Sequence, residues 1–193
     1  PTNDFYGGSR LGDNLYANCI IALDANTGKR IWHFQTVHHD VWDRDLPAPP
    51  VLATIDHNGK KLDVAIQTSK QGMIFVFNRE TGEPVFPIAE MPFPTNTQLT
   101  REKLSPTQPV PQWPEPFARQ KMTIDDLNTL VSDSSYADLK KRFLGYSSGT
   151  PFTLPTEKGT IVFPGYDGGG EWGGASFDPV TQYLYVNGNE MPW

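Results

Sequence analysis

Cys19 is the only cysteine in the 193 residues, which excludes an internal disulfide framework and any cysteine-rich zinc site. Basic residues are also scarce, 16 lysines and arginines against 22 aspartates and glutamates, for a formal charge of −6 at pH 7. Nucleic acids and anionic membranes are held through clustered lysine and arginine, so no nucleic-acid partner is expected. Missing too are an initiator methionine, the charged and apolar regions of a signal peptide, and any apolar run long enough to cross a bilayer. The chain opens Pro-Thr-Asn and ends Glu-Met-Pro-Trp. It reads as a fragment, residues 1–193 of a larger domain, whose targeting segment is removed or lies elsewhere.

What the sequence has instead is turns. Its 17 glycines and 18 prolines favour many short strands. Three segments share one pattern: ALDANTGKRIW at 22–32, VFNRETGEPVF at 76–86 and SFDPVTQYLYV at 176–186. In each, an apolar run leads to Asp or Asn, then a threonine three residues on, then a second apolar or aromatic run. Asp, Asn and Thr-Gly accommodate tight turns while β-branched and aromatic flanks suit strands, so each predicts a β-hairpin. The turn threonines Thr27 and Thr81 stand roughly 50 residues apart, the span of one four-stranded propeller blade with a long loop. The expectation is an all-β chain forming a partial β-propeller of about three blades, with open blade edges through which the isolated fragment self-associates.

Residues 87–150 interrupt this pattern and read as an insertion between blades, rich in Pro, Gln and Thr. Thr123 followed by Asp125 and Asp126 supplies a helix start, and Leu127, Leu130 and Val131 recur at helical spacing; a short helix is predicted over 122–131 and a second over 135–143.

The densest chemistry lies in TVHHDVWDRDLPAPP at 36–50. Adjacent histidines on a strand point to opposite faces, so His38 and His39 make a poor metal chelate. A polar corner whose His and Asp cap turns is one reading. The other is a catalytic loop: WDRD at 42–45 sets a carboxylate, Asp43, beside an aromatic wall and a nearby cation, on a backbone stiffened by prolines.

This stretch, with NDFYGGSR near the start, TSKQGMIFVFNRETG, SPTQP, FPGYDGGGEWGG and YVNGNEMPW, resembles the pyrroloquinoline-quinone (PQQ)-dependent dehydrogenases, and within them the quinoprotein glucose dehydrogenase branch. The resemblance implies a usually eight-bladed propeller joined by tryptophan-docking repeats, with PQQ in a central funnel. It places the base that takes the substrate hydroxyl proton on Asp43, the lysine that approaches the quinone oxygens on Lys70, and an amide contact to the quinone on Asn187. It associates Thr2 with a site for Ca2+ or Mg2+, although Asn3 stands where the family often has proline. Without the resemblance, Lys70 reads as a solvated strand-end lysine and Asn187 as a strand-end cap.

The tryptophan that stacks on PQQ and the carboxylate-amide metal pair of the family would precede residue 1, and the adjacent cysteine pair of the alcohol-oxidising branch is absent. Glu171 and Trp172, set among glycines, are read either as funnel-lining residues or as a Gly-rich turn with a buried tryptophan. The resemblance implies oxidation of a sugar or polyol, electron delivery to a quinone or cytochrome, and a periplasmic location, free or on a membrane facing the periplasm. A non-catalytic propeller scaffold and an alcohol-oxidising quinoprotein are the alternatives.

Overall fold

A computed structural model describes residues 3–193. Its strands are β1 (Cys19–Leu23), β2 (Arg30–Gln35), β3 (Val51–His57), β4 (Lys60–Thr68), β5 (Ile74–Asn78), β6 (Ile88–Pro92), β7 (Thr107–Pro111), β8 (Ala175–Asp178) and β9 (Tyr183–Val186). They form four small antiparallel sheets, β1-β2, β3-β4-β5, β6-β7 and β8-β9. With one α-helix, this is a partial β-propeller.

The turns form as their residue types dictate. The Asp24 carboxylate accepts from the backbone and hydroxyl of Thr27 at 2.7 and 2.8 Å, and Asn78 accepts from the backbone of Glu80 and Thr81. Asp178 likewise accepts from Val180 N and the Thr181 hydroxyl. Each side chain substitutes for a backbone partner, which is why Asp or Asn opens every repeat. The first and third repeats become the hairpins β1-β2 and β8-β9. In the second, the returning run is narrower than a strand: Phe77 bridges Pro84, and Val85 N donates to Val76 O at 2.8 Å.

The core follows the two-residue period of β5. Phe75 and Phe77 face Ile20 and Trp32 of β1-β2, while Ile74 and Val76 join Ala53, Val64 and Ile66 and pack on Phe177 and Leu184 of β8-β9. A strand buried on both faces must be apolar throughout, and IFVF is. Trp32 locks the first two sheets together. Its Nε1 donates to Arg79 O at 3.0 Å, and its ring lies so close to Gly82 that a Cβ there would fall 2.5 Å from ring carbon Cδ2. The outer faces of the terminal hairpins stay apolar and exposed, with Ile21, Leu23 and Ile31 on one and Tyr183 and Tyr185 on the other.

Residues 87–150 hold the β6-β7 hairpin as well as helical structure. The helix expected over 122–131 is a single 3-10 turn, Ile124–Asp126, and Leu127 is already extended with ψ 141°. Asp126 turns back to accept from Thr123 N and the Thr123 hydroxyl, and Leu130 is 95% exposed. Of the expected face, Leu127 is buried but Leu130 is not, and so small a buried surface does not repay the cost of helix nucleation. The second helix, α1 (Asp133–Gly145), begins two residues before and ends two after the predicted 135–143, capped by the Ser132 side chain accepting from Ser135 N. Thr2 lies outside the described residues.

Candidate active site at a joint between blades

The loop after β2 is organised by Asp40. Its buried carboxylate accepts from Trp42 N at 2.8 Å, Arg44 N at 2.7 Å and the Asn18 amide at 3.0 Å. Burial is the largest influence on this carboxyl and raises its pKa despite those donors. His39, 1% exposed, is pinned from both ring nitrogens, 2.6 Å from Gly12 O and 2.6 Å from Glu102 Oε1. His38 meets Gln35 and Glu90. The two histidines therefore serve different structural partners. Among the described residues no group of three or more His, Cys, Asp and Glu is arranged to hold a metal ion.

Beyond this corner the chain alternates. Trp42 enters the core, its Nε1 donating to Thr153 O at 2.8 Å and its ring edge-on to Phe152 at 5.4 Å. Arg44, fully buried, donates to Pro164 O at 2.6 Å and Pro151 O at 3.1 Å; burial pushes its pKa down to about 10. The expected aromatic wall and nearby cation are therefore internal anchors. Between them Asp43, in the left-handed region with φ 58°, and Asp45 keep partly exposed carboxylates. Aspartate is among the few residue types that adopt this conformation readily, and such backbone concentrates at functional sites.

Both carboxylates meet Lys70, on the turn between β4 and β5. Its Nζ lies 3.0 Å from Asp43 Oδ2, 2.8 Å from Asp45 Oδ1 and 3.6 Å from Glu171 Oε1. Far from a solvated strand end, the lysine side chain is only 10% exposed. Burial is the largest single influence and opposes its charge, but the Asp45 and Asp43 carboxylates together outweigh it and hold the pKa above the ordinary lysine value.

A glycine loop seals the lysine stem. Gly169 N donates to Lys70 O at 2.7 Å, and Gly168, at φ +71°, approaches so closely that a Cβ would lie 2.7 Å from Lys70 Cγ. Glu171 follows on this loop. Trp172 is 84% exposed, which removes the reading of a buried tryptophan. Asn187, exposed just past β9, lies beside Gly173 of the same loop.

Thus Asp43 and Lys70 touch directly, and Asn187 borders the loop carrying Glu171. Asp45 was not singled out by sequence. Its signal was the Asp-x-Asp spacing, a second carboxylate two residues from Asp43 on the same loop.

An ammonium group has three protons. Asp43 accepts one of them at 3.0 Å, while Asp45 at 2.8 Å and Glu171 at 3.6 Å are ion-pair contacts outside hydrogen-bond geometry. Donor capacity of the ammonium is left over for an added acceptor, a chemistry that suits a quinone oxygen.

The sequence matches, over residues 1–193, the family described as PQQ: glucose/ethanol/alcohol dehydrogenase, β-propeller domain. The chain belongs to this family. Among curated PQQ-dependent relatives, quinoprotein glucose dehydrogenase of Escherichia coli (strain K12) is 39% identical over 193 residues, covering 100% of this chain and 24% of that protein. Quinoprotein glucose dehydrogenase of Gluconobacter oxydans (strain 621H) is 37% identical over 197 residues, with coverage of 100% and 24%. Among solved structures, quinohemoprotein alcohol dehydrogenase from Comamonas testosteroni matches with a TM-score of 0.56 and 25% identity, over 93% of this chain and 21% of that one. The chain spans about a quarter of the length of the curated PQQ-dependent relatives it matches. The family expected from HHDVWDRDLP is the one found.

Proposed function

We propose that the full-length protein carrying this chain is a PQQ-dependent dehydrogenase that oxidises a hydroxyl of a sugar or polyol, and that this chain supplies its base and its quinone-facing cation. The observation that carries the reading is the Asp43–Lys70 pair at 3.0 Å, on a loop and a turn from two successive blades. A scaffold would need the hairpins and the Trp32 dock but has no use for a sealed lysine ringed by three carboxylates.

PQQ, when bound, supplies an ortho-quinone able to accept hydride from the substrate carbon. Asp43, held by the Asp40 corner, takes the substrate hydroxyl proton onto its carboxylate. Lys70 would hold its ammonium toward a bound cofactor, where it could stabilise negative charge on a quinone oxygen. Asn187 borders the same site and is proposed as an amide contact to the cofactor. Calcium or magnesium is assigned to ligands beyond the described residues, with Thr2 as one candidate. Electrons pass onward to a quinone or cytochrome, and the protein works in the periplasm or on a membrane facing it.

Asp43→Asn keeps the side chain's shape and removes the base. In full-length protein reconstituted with PQQ and a divalent metal, it should lower turnover by about a hundredfold or more while leaving PQQ affinity nearly unchanged. Wild-type sugar oxidation by this variant across pH would return the loop to a structural corner.

A further inference from the structure

Resting on that reading, the geometry points to Asp45 as a positioning residue: it is the standing counter-ion of Lys70, and it frees Asp43 to act as the base. Asp43 cannot be both the sole partner of an ammonium and an effective proton acceptor. A carboxylate whose negative charge is fully engaged by a cation binds a proton poorly, and once protonated it no longer holds that cation in place. The site avoids this conflict by duplication.

Asp45 Oδ1 is nearer to Lys70 Nζ than Asp43 Oδ2 is, 2.8 against 3.0 Å. Both carboxylates reach the ammonium while Arg44 between them turns inward to the carbonyls of Pro151 and Pro164. When the substrate O–H bond breaks and its proton passes to Asp43, the Asp45 carboxylate still lies against Lys70 Nζ and Lys70 keeps its position.

The other charges around Lys70 do not replace Asp45. Glu171, on the glycine loop, stands 3.6 Å away. The segment packed on Gly72 through Ala118 carries Arg119, which is committed to Glu190 and Asp126. Arg44 feels Asp40 and Asp43, but its guanidinium points to backbone carbonyls.

The test reads Lys70 directly, without turnover. Cofactor-free full-length protein is treated with a trace of acetic anhydride at pH 9, and acetylation of Lys70 is measured by peptide mass spectrometry relative to Lys61, whose side chain is 67% exposed. Only the free amine reacts. Asp45→Asn removes one of the charges that favour the ammonium, so Lys70 should acetylate about tenfold faster than in wild type. Asp45→Glu should restore slow labelling, and Glu171→Gln should change the rate about twofold at most, because its contact is longer.

In the holoenzyme, loss of the Asp45 charge leaves Asp43 as the main partner of Lys70. The acid limb of kcat/KM should then move to lower pH, a shift that a merely structural role would not produce. Lys70 labelling in Asp45→Asn within twofold of wild type, or equal to that of Glu171→Gln, overturns the inference. Because labelling needs neither cofactor nor substrate, it stands or falls separately from the proposed dehydrogenase activity.

Discussion

The Trp32 dock can be isolated by comparing two glycines. Gly59 and Gly82 both adopt left-handed backbone, φ +74° and +76°, but a Cβ on Gly59 meets nothing within 4 Å while one on Gly82 falls 2.5 Å from the Trp32 ring. Gly59→Ala should therefore show the backbone penalty alone, about 1–2 kcal/mol. Gly82→Ala adds displacement of a tryptophan that is 9% exposed and bonded through Nε1 to Arg79 O. Loss of that bond costs about 1 kcal/mol and overpacking about 1–3 kcal/mol, for a total with the backbone penalty of about 3–6 kcal/mol. Urea unfolding of the full-length protein, followed by fluorescence, compares the two. In a Trp32→Ala background the extra cost of Gly82→Ala should vanish, leaving the Gly59 value. Equal destabilisation by the two alanines in the wild-type background would refute the claim that this ring holds the blades together.

Arg44→Met should leave the buried carbonyls of Pro151 and Pro164 without their donor, costing about 2–5 kcal/mol in denaturant unfolding; Arg44→Lys should recover little, since one ammonium lacks the fork that spans two carbonyls. Burial raises the Cys19 thiol pKa to about 11, so iodoacetamide should alkylate it at pH 8.5 at least about tenfold more slowly than an ordinary free thiol. The folded state keeps this proton longer than the unfolded chain, so the associated stability is complete below the ordinary thiol pKa of 9.0 and is lost as pH rises toward about 11. Cys19→Ser should reduce that alkaline loss in a pH series of unfolding midpoints.

The hairpins were legible because their information is local. Asp24 with Thr27, and Asp178 with Thr181, are three residues apart and close their own turns. The helix over 122–131 misled because spacing reports that a face exists, not that anything covers it, and nothing covers Leu130. Trp42 and Arg44 were misplaced for the converse reason: an aromatic and a cation adjacent in sequence to Asp43 point to the other side of an alternating chain, toward partners more than a hundred residues away. The meeting of Asp43 with Lys70 joins two blades, and no local pattern encodes it; only the resemblance to a family suggested it. Asp45 was within reach as a second carboxylate on Asp43's own loop, and Glu171 needed the glycine loop's path over Lys70.

That Asp43 and Lys70 belong to successive blades constrains how proteins of this architecture can be recombined. A chimera that exchanges one blade between relatives, with its junction anywhere between Asp45 and Lys70, would inherit the carboxylates from one parent and the lysine from the other. The Trp32 and Gly82 surfaces would be divided in the same cut. The smallest transferable unit is therefore a pair of neighbouring blades with its joint intact, and crossovers placed outside residues 18–82 should preserve the carboxylate–lysine pairing far better than crossovers placed inside.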